Sequence, residues 1–211
     1  MKLTVHTFLT LDGVMQGPGG PDEDVTGGFT RGGWVVPLFD EGMGEIVGDW
    51  FGKADAFLIG RTTYDLFYPY WSQVTDPNDV VATKLNALPK YVASTTLRDP
   101  EWQNTTVLSD DVLDQIKQLK SQPGGELQIH GSCGLLQTLH NSGLIDEYRL
   151  LVFPVTVGKG KRLFADDTQA SGFSLVSSRT TKTGAVYSEL RPKQFDVGRF
   201  GIEDGGVAPI D

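Results

Sequence analysis

Twice in this chain a short strand-like run stops at a glycine and gives way at once to helix-like sequence: Ala56-Phe57-Leu58-Ile59 before Gly60, and Leu127-Gln128-Ile129 ahead of Gly131. A continuous apolar run bounded by a turn signal reads as a strand buried on both faces. Strand, glycine turn and helix in repetition restrict the chain to an α/β architecture, with a mostly parallel sheet and helices on both of its faces.

The other segments fit that frame. Leu3 to Leu11 alternates and ends at Asp12-Gly13, a first strand. Met43, Ile46, Val47, Trp50 and Phe51 recur at the spacing of an amphipathic helix. A helix starts near Thr62, and Lys90-Tyr91-Val92-Ala93 and Thr105-Thr106-Val107-Leu108 read as strands. Ser109-Asp110-Asp111 opens a helix through Lys120 whose buried face is Val112, Leu113, Ile116 and Leu119, with acids first and lysines last as the helix dipole favours. Leu135, Leu136 and Leu139 mark another helix, capped at Gly143. Glu147 to Phe153 is a strand stopped by Pro154, and Phe173–Thr181 with Ala185–Arg191 form a hairpin around Thr183-Gly184. The expected fold is one domain over residues 1–192, its parallel sheet extended by the antiparallel C-terminal hairpin. Residues 193–211, rich in glycine and acids, read as a loose tail.

From Gly13 to Gly33 the glycines and prolines are too dense for a regular element. A long loop directly after the first strand is expected to be functional, and Gly17 to Gly33 is placed as a mobile lid over a ligand.

Composition removes several function classes. The formal charge of -9 argues against a nucleic-acid partner. Cys133 is the single cysteine, which excludes intrachain disulfides and cysteine-cluster zinc sites. His6, His130 and His140 are scattered without a metal-binding spacing, so no metal is expected. No stretch is apolar and long enough to cross a bilayer, and residues 1–6 lack the apolar core of a signal peptide, so the expected setting is the cytoplasm, with no membrane partner. The apolar strand Leu150-Leu151-Val152-Phe153 and the tail suggest a homodimer.

Ligands of open α/β sheets bind outside the carboxyl ends of the strands, where Gly60 and Gly131 stand. Glycine lets the backbone approach a phosphate, and the helix that follows offers free N–H groups. Arg61 adds a cation, Thr62 and Thr63 add hydroxyls, and Ser94 and Thr95 lie at a neighbouring strand end. From spacing alone Gly60-Arg61-Thr62-Thr63-Tyr64 serves equally as a phosphate cradle or as an ordinary helix start with a surface ion pair. Gly131-Ser132-Cys133-Gly134 is equally a cradle or a tight turn with a buried cysteine. Asp40 and Glu41 lie where the glycine loop meets the first helix and are candidate ligand-facing acids, or simply N-terminal helix charges. Neither the G-x-G-x-x-G fingerprint nor a P-loop is present.

Taken in order, Thr10-Leu11-Asp12-Gly13, Gly60-Arg61-Thr62-Thr63-Tyr64, Gly131-Ser132, Leu144-Ile145-Asp146-Glu147-Tyr148-Arg149-Leu150, Phe153-Pro154-Val155 and Gly158-Lys159-Gly160-Lys161-Arg162-Leu163-Phe164 resemble the dihydrofolate-reductase-like superfamily, in particular the family of the RibD C-terminal reductase domain. The resemblance spans roughly residues 1–192. It implies a three-layer dihydrofolate-reductase-like fold and an NADPH-dependent reductase of a pterin, a ribosylamino-pyrimidine or a related C=N or C=O substrate, of the kind used in riboflavin biosynthesis. It implies that Gly60, Arg61, Thr62 and Thr63 hold NADPH phosphates, that Ser94 and Thr95 flank the adenosine, and that Gly131, Ser132, Cys133, Gly134 and Leu135 contact the pyrophosphate. Asp40 is then the candidate proton source, with Asp12, Asp40 and Glu41 on the substrate. The lysine that pathway enzymes often carry on the first strand is replaced by His6, which implies a different substrate grip. The zinc deaminase half of the bifunctional protein is absent from this sequence. A non-catalytic nucleotide- or pterin-binding protein on the same fold is the alternative.

Overall fold

A computed structural model describes residues 1–203 and 205–210. At its centre lies β1 (Lys2–Thr10), whose residues are buried without a break from Leu3 to Thr7. A strand with no solvent face belongs in the middle of a covered sheet. β1 pairs in parallel with β5 (Glu126–His130) on one side and β6 (Glu147–Phe153) on the other. Beyond β5 follow β2 (Ala54–Gly60), β3 (Lys90–Ala93) and β4 (Thr105–Leu108), all parallel. Beyond β6 the hairpin of β7 (Gly172–Thr180) and β8 (Val186–Lys193) continues the sheet antiparallel, in the order β4-β3-β2-β5-β1-β6-β8-β7.

Helices cover both faces. On one, α1 (Glu41–Gly52), α2 (Arg61–Trp71) and α3 (Val80–Ala87) bring Met43, Ile46, Trp50, Phe51, Tyr64 and Leu85 onto Phe57 and Ile59. On the other, α4 (Val112–Ser121) and α5 (Cys133–Asn141) pack Ile116, Leu119, Leu136 and Leu139 on Leu3, Val5, Leu127 and Ile129. This is the expected three-layer, dihydrofolate-reductase-like arrangement. The helix over Val80–Ala87 was not anticipated; Asp79 caps it by accepting from Ala82 N at 2.9 Å. Lys90 is fully buried, its ammonium donating to Leu85 O and Leu88 O at the end of that helix, and burial lowers its pKa to about 8.

Two expectations change. Within residues 193–211, β9 (Arg199–Glu203) and β10 (Gly206–Ile210) pair antiparallel, so this stretch is a hairpin rather than a shapeless tail. Asp204 and Asp211 lie outside the described residues. Between β1 and α1 the chain forms two short 3-10 turns, Thr26–Gly28 and Val36–Leu38, and the course of the glycine-rich segment is fixed by a buried side chain. Gln16 donates to Asp24 O and Thr26 O and accepts from Lys161 N, while Gln16 O accepts from Trp34 Nε1. Lys161 Nζ meets Asp24 at 2.7 Å. A spread of glycines conceals such a hub, because one glutamine carries no pattern.

Along the α1 face, the rungs of β1, β5 and β6 change in character. At the strand starts, Glu147 is fully buried among Lys2, Arg149 and Arg191, and Arg149 also holds Glu126. One rung further the buried pair is Thr4 beside Gln128, then His6 beside His130, and beyond them Phe8. Charge ends before the strands reach the mouth of the cavity described next.

Candidate functional site

A cavity of ≈ 1600 Å³ runs across the carboxyl ends of β2 and β5, beneath the glycine-rich segment. Single-ligand pockets enclose roughly 300–1,000 Å³, so this one has room for a dinucleotide and a second molecule.

One half is built by the two glycine turns. Gly131 has φ 64° and Ser132 φ 63°, two successive left-handed residues. A serine there costs roughly 1–2 kcal/mol. The cost is offset by bonds that only this conformation makes: Ser132 Oγ accepts from Gly60 N at 2.8 Å, and Ser132 N and Oγ donate to Thr63 Oγ1 at 3.0 and 2.9 Å. A Cβ at Gly131 would come within 3.3 Å of the same hydroxyl. The two turns, distant in sequence, are thereby locked together. α2 and α5 both begin here, and neither has a side-chain cap on its first turn. Their unsatisfied N–H groups therefore open on one cavity, at the positive ends of two helix dipoles.

The candidate cofactor residues Gly60, Arg61, Thr62, Thr63, Ser94, Thr95, Gly131, Ser132, Cys133, Gly134 and Leu135 all line this cavity. Their states differ. The Thr63 hydroxyl is committed to Ser132 and braces the turn. Ser94 Oγ accepts from Thr96 N and Leu97 N, which folds the strand end. Arg61 uses its Nε edge on both Asp65 oxygens at 2.8 Å, and Nη1 lies 3.5 Å from Thr96 Oγ1. Burial raises the Cys133 thiol, whose Sγ lies 3.0 Å from Arg162 O, the state of a packed side chain.

The candidate acids lie elsewhere. Asp40 caps α1, accepting from Met43 N at 2.8 Å and Thr183 N at 2.9 Å. Those backbone bonds, that from Met43 first, with the Thr183 hydroxyl hold its pKa at about 2. A carboxyl so bound is a poor proton donor, and it is not among the cavity-lining residues. Asp12 accepts from Val157 N and Gly158 N, which moors the segment after β6 to the end of β1. Glu41 is exposed and 3.9 Å from Lys182. In this geometry Asp40 and Asp12 hold helix and loops, and none of the three is among the residues that line the cavity.

The second half of the cavity was the less legible. Its walls are Phe8 on β1, Met43, Val47 and Phe51 on α1, Phe67 and Trp71 on α2, with His6 and His130 at the floor. The two imidazoles stack at 4.9 Å and 18°, and Phe51 covers the other side of His130 at 4.3 Å and 22°. Burial drives both histidines to the neutral form, His6 well below its ordinary pKa and His130 to about 3. Scattered in sequence, they meet because β1 and β5 pair in register at His6 and His130. Among the lining carboxyls, burial raises Glu23, which bonds Gly19 N on the glycine-rich segment.

Comparison with known proteins agrees with this architecture. The family profile described as the RibD C-terminal domain matches residues 1–187. The uncharacterized protein YyaP of Bacillus subtilis (strain 168) is 32% identical over 187 residues, covering 88% of this chain and 92% of that protein. Among solved structures, a candidate riboflavin biosynthesis protein of Shewanella sp. PV-4 superposes with a TM-score of 0.69 at 19% identity, over 92% of this chain and 100% of that one. The dihydrofolate reductase of Enterococcus faecalis, complexed with NADP(H), superposes with a TM-score of 0.56 at 11% identity, over 92% and 97%. With the locked glycine turns, the sheet order and the match to residues 1–187 all in accord, the chain belongs to the RibD C-terminal domain family, a reductase family of dihydrofolate-reductase-like fold.

Proposed function

We propose that the protein is an NADPH-dependent reductase that transfers hydride to a C=N or C=O carbon of a small cyclic substrate. The observation that carries the reading is the convergence of two uncapped helix starts, α2 and α5, on one cavity large enough for a dinucleotide and a second molecule. The chain's own donors fit the cofactor. Free N–H groups at Gly134 and Leu135 suit the pyrophosphate, and the Nη groups of Arg61 with Thr62, Thr95 and Thr96 suit the ribose phosphate that distinguishes NADPH from NADH. The glycine-rich segment, which contributes Gly17 to Asp24 to the lining, serves as the lid that keeps water from the reacting carbon. NADPH supplies the hydride; the protein binds, orients and shields. The NADP(H) complex of the Enterococcus dihydrofolate reductase supports the cofactor reading, and the riboflavin assignment of the Shewanella protein supports a pyrimidine-like substrate.

The test is direct. NADPH at millimolar concentration raises the melting temperature, NADH does so less, and Arg61→Ala weakens NADPH binding by about 1.5–3 kcal/mol, the worth of a charged hydrogen bond. No thermal shift with NADPH refutes the reading, and unchanged affinity in Arg61→Ala refutes the residue's role. Binding without NADPH oxidation across a substrate panel identifies a non-catalytic binding protein on this fold instead.

A further inference from the structure

We propose that the α1 half of the cavity takes an uncharged, flat ring substrate, held by a hydrogen bond from its own N–H or O–H to Nδ1 of His130. The inference rests on the reductase reading for the cavity's overall role and specifies the chemistry of its second site.

Three observations carry it. The first is a chain of hydrogen bonds that fixes the tautomer of His130. Arg149 holds the Glu126 carboxylate at 2.7 and 3.0 Å, and a carboxylate can only accept. Gln128 Nε2 donates to Glu126 Oε2 at 2.7 Å and to Trp50 O at 2.6 Å, which sets the orientation of its amide. Gln128 Oε1, 3.0 Å from His130 Nε2, must then accept, so Nε2 carries the ring proton. In the neutral ring, Nδ1 is left as a bare acceptor, and no described residue bonds to it. His130 is only 7% exposed and lines the cavity, so its remaining acceptor calls for a donor from the ligand.

The second is the distribution of charge. The charged lining residues are Asp22, Glu23 and Asp24 on the lid, Lys161 paired with Asp24, and Arg61 paired with Asp65. β1, α1, α3 and β5 contribute none to the described lining, and neither does α2 beyond Asp65. A phosphate or carboxylate there would be desolvated with no cation to meet it.

The third is the wall itself. Gly44 and Gly48 lie one turn apart on α1 and both line the cavity. Glycine inside a helix costs about 1 kcal/mol relative to alanine. Packing does not require it: a Cβ at Gly48 would meet nothing within 4 Å, and one at Gly44 only Phe39 Cζ at 3.7 Å. The missing side chains leave a bare strip of helix backbone on the cavity side of α1, next to Phe51 and the His130 ring stacked on it, which suits a planar molecule.

The experiment measures, by calorimetry with and without NADP⁺, the affinity of three matched probes: quinoxalin-2(1H)-one, a neutral ring with a lactam N–H beside a C=N bond; its N1-methyl derivative; and its 6-carboxylate. The parent binds best. Loss of the donor weakens binding about tenfold, the effect of leaving a buried acceptor unpaired, and the carboxylate binds roughly a hundredfold worse. His130→Phe, which keeps the stack and removes the acceptor, brings the parent and its N-methyl derivative to equal affinity. Gly48→Leu, whose side chain enters open space, abolishes probe binding and leaves NADP⁺ affinity unchanged. Equal or tighter binding of the carboxylate overturns the proposal. So does equal binding of the N-methyl derivative to the unmodified protein, or failure of all three at millimolar concentration; these outcomes do not depend on either variant folding. Failure of NADP⁺ to bind overturns the cofactor reading alone, and the order of the three probes on the free protein still decides this one.

Discussion

Replacing Gly48 by alanine separates the stability of α1 from the purpose of its cavity face. Gly48 has helical backbone, and a Cβ added to it meets no heavy atom within 4 Å. Neither a clash nor a new contact therefore alters the intrinsic helix preference, which favours alanine by about 0.8–1 kcal/mol. In a chain of this size 1 kcal/mol moves the melting temperature by roughly 2–4 °C, so Gly48→Ala melts a few degrees higher. Gly52 provides the control: its Cβ is equally unobstructed, it lies at the end of the same helix, and it does not line the cavity. Gly52→Ala is expected to leave ligand affinity unchanged, whereas Gly48→Ala weakens binding of a ring ligand while stabilising the free protein. Calorimetric melting with ligand titration on both variants measures the two effects. A lower melting temperature for Gly48→Ala, or an identical ligand response in both variants, refutes the view that this glycine is kept to hold space open.

Asp40→Asn weakens the cap of α1 and lowers the melting temperature without reducing turnover; a large fall in kcat with unchanged stability would return Asp40 to the chemistry. Glu147→Ala leaves Arg149 and its neighbours facing a buried gap, and urea unfolding should register a loss of roughly 3–5 kcal/mol. Burial alone would raise the Glu147 pKa, but Lys2 and Arg149 hold it below the ordinary value. Its contribution is therefore complete above the unfolded carboxyl pKa near 4.3 and declines as the pH falls through the lower folded value. His130 acts over a higher range: with a folded pKa of about 3 against about 6.5 unfolded, the unfolded state takes the proton first. Stability should thus fall as the pH drops from about 6.5 toward 3, by up to about 1.4 kcal/mol per unit for this group. His130→Phe flattens that part of the urea-midpoint profile, and an unchanged profile would show that the ring is not held neutral.

What the sequence made legible was whatever depends on local pattern. The buried runs, the helix from Met43 to Phe51, the glycine stops and the β7–β8 hairpin all follow from periodicity and turn chemistry, and the structure places them within a few residues of expectation. The two glycine turns read equally as phosphate cradles or as plain turns, and both reach the cavity. Contacts set by register were not legible. Nothing near His6 points to His130, whose proximity comes from strands paired across more than half the chain. Asp40 and Asp12 looked like site acids because acids at a loop end suit a ligand and a backbone N–H equally well; only the positions of Met43, Thr183, Val157 and Gly158 decide between them. The helix at Val80–Ala87 escaped because its eight residues carry too little period to register, although Asp79 marked its start.

The central position of β1 also shapes how the chain is made. β1 precedes both of its partners in the chain and acquires them only when residues 126–130 and 147–153 have followed. At about 5–20 residues per second a ribosome needs many seconds to deliver them. Throughout that interval Leu3, Val5, Phe8 and Leu9 have no sheet to enter, whereas β2, β3 and the helices around them can assemble among themselves. The nascent chain thus carries a strand destined for full burial unpaired while residues 11–146 are made, and its yield in a cell should depend on chaperones that bind residues 2–10.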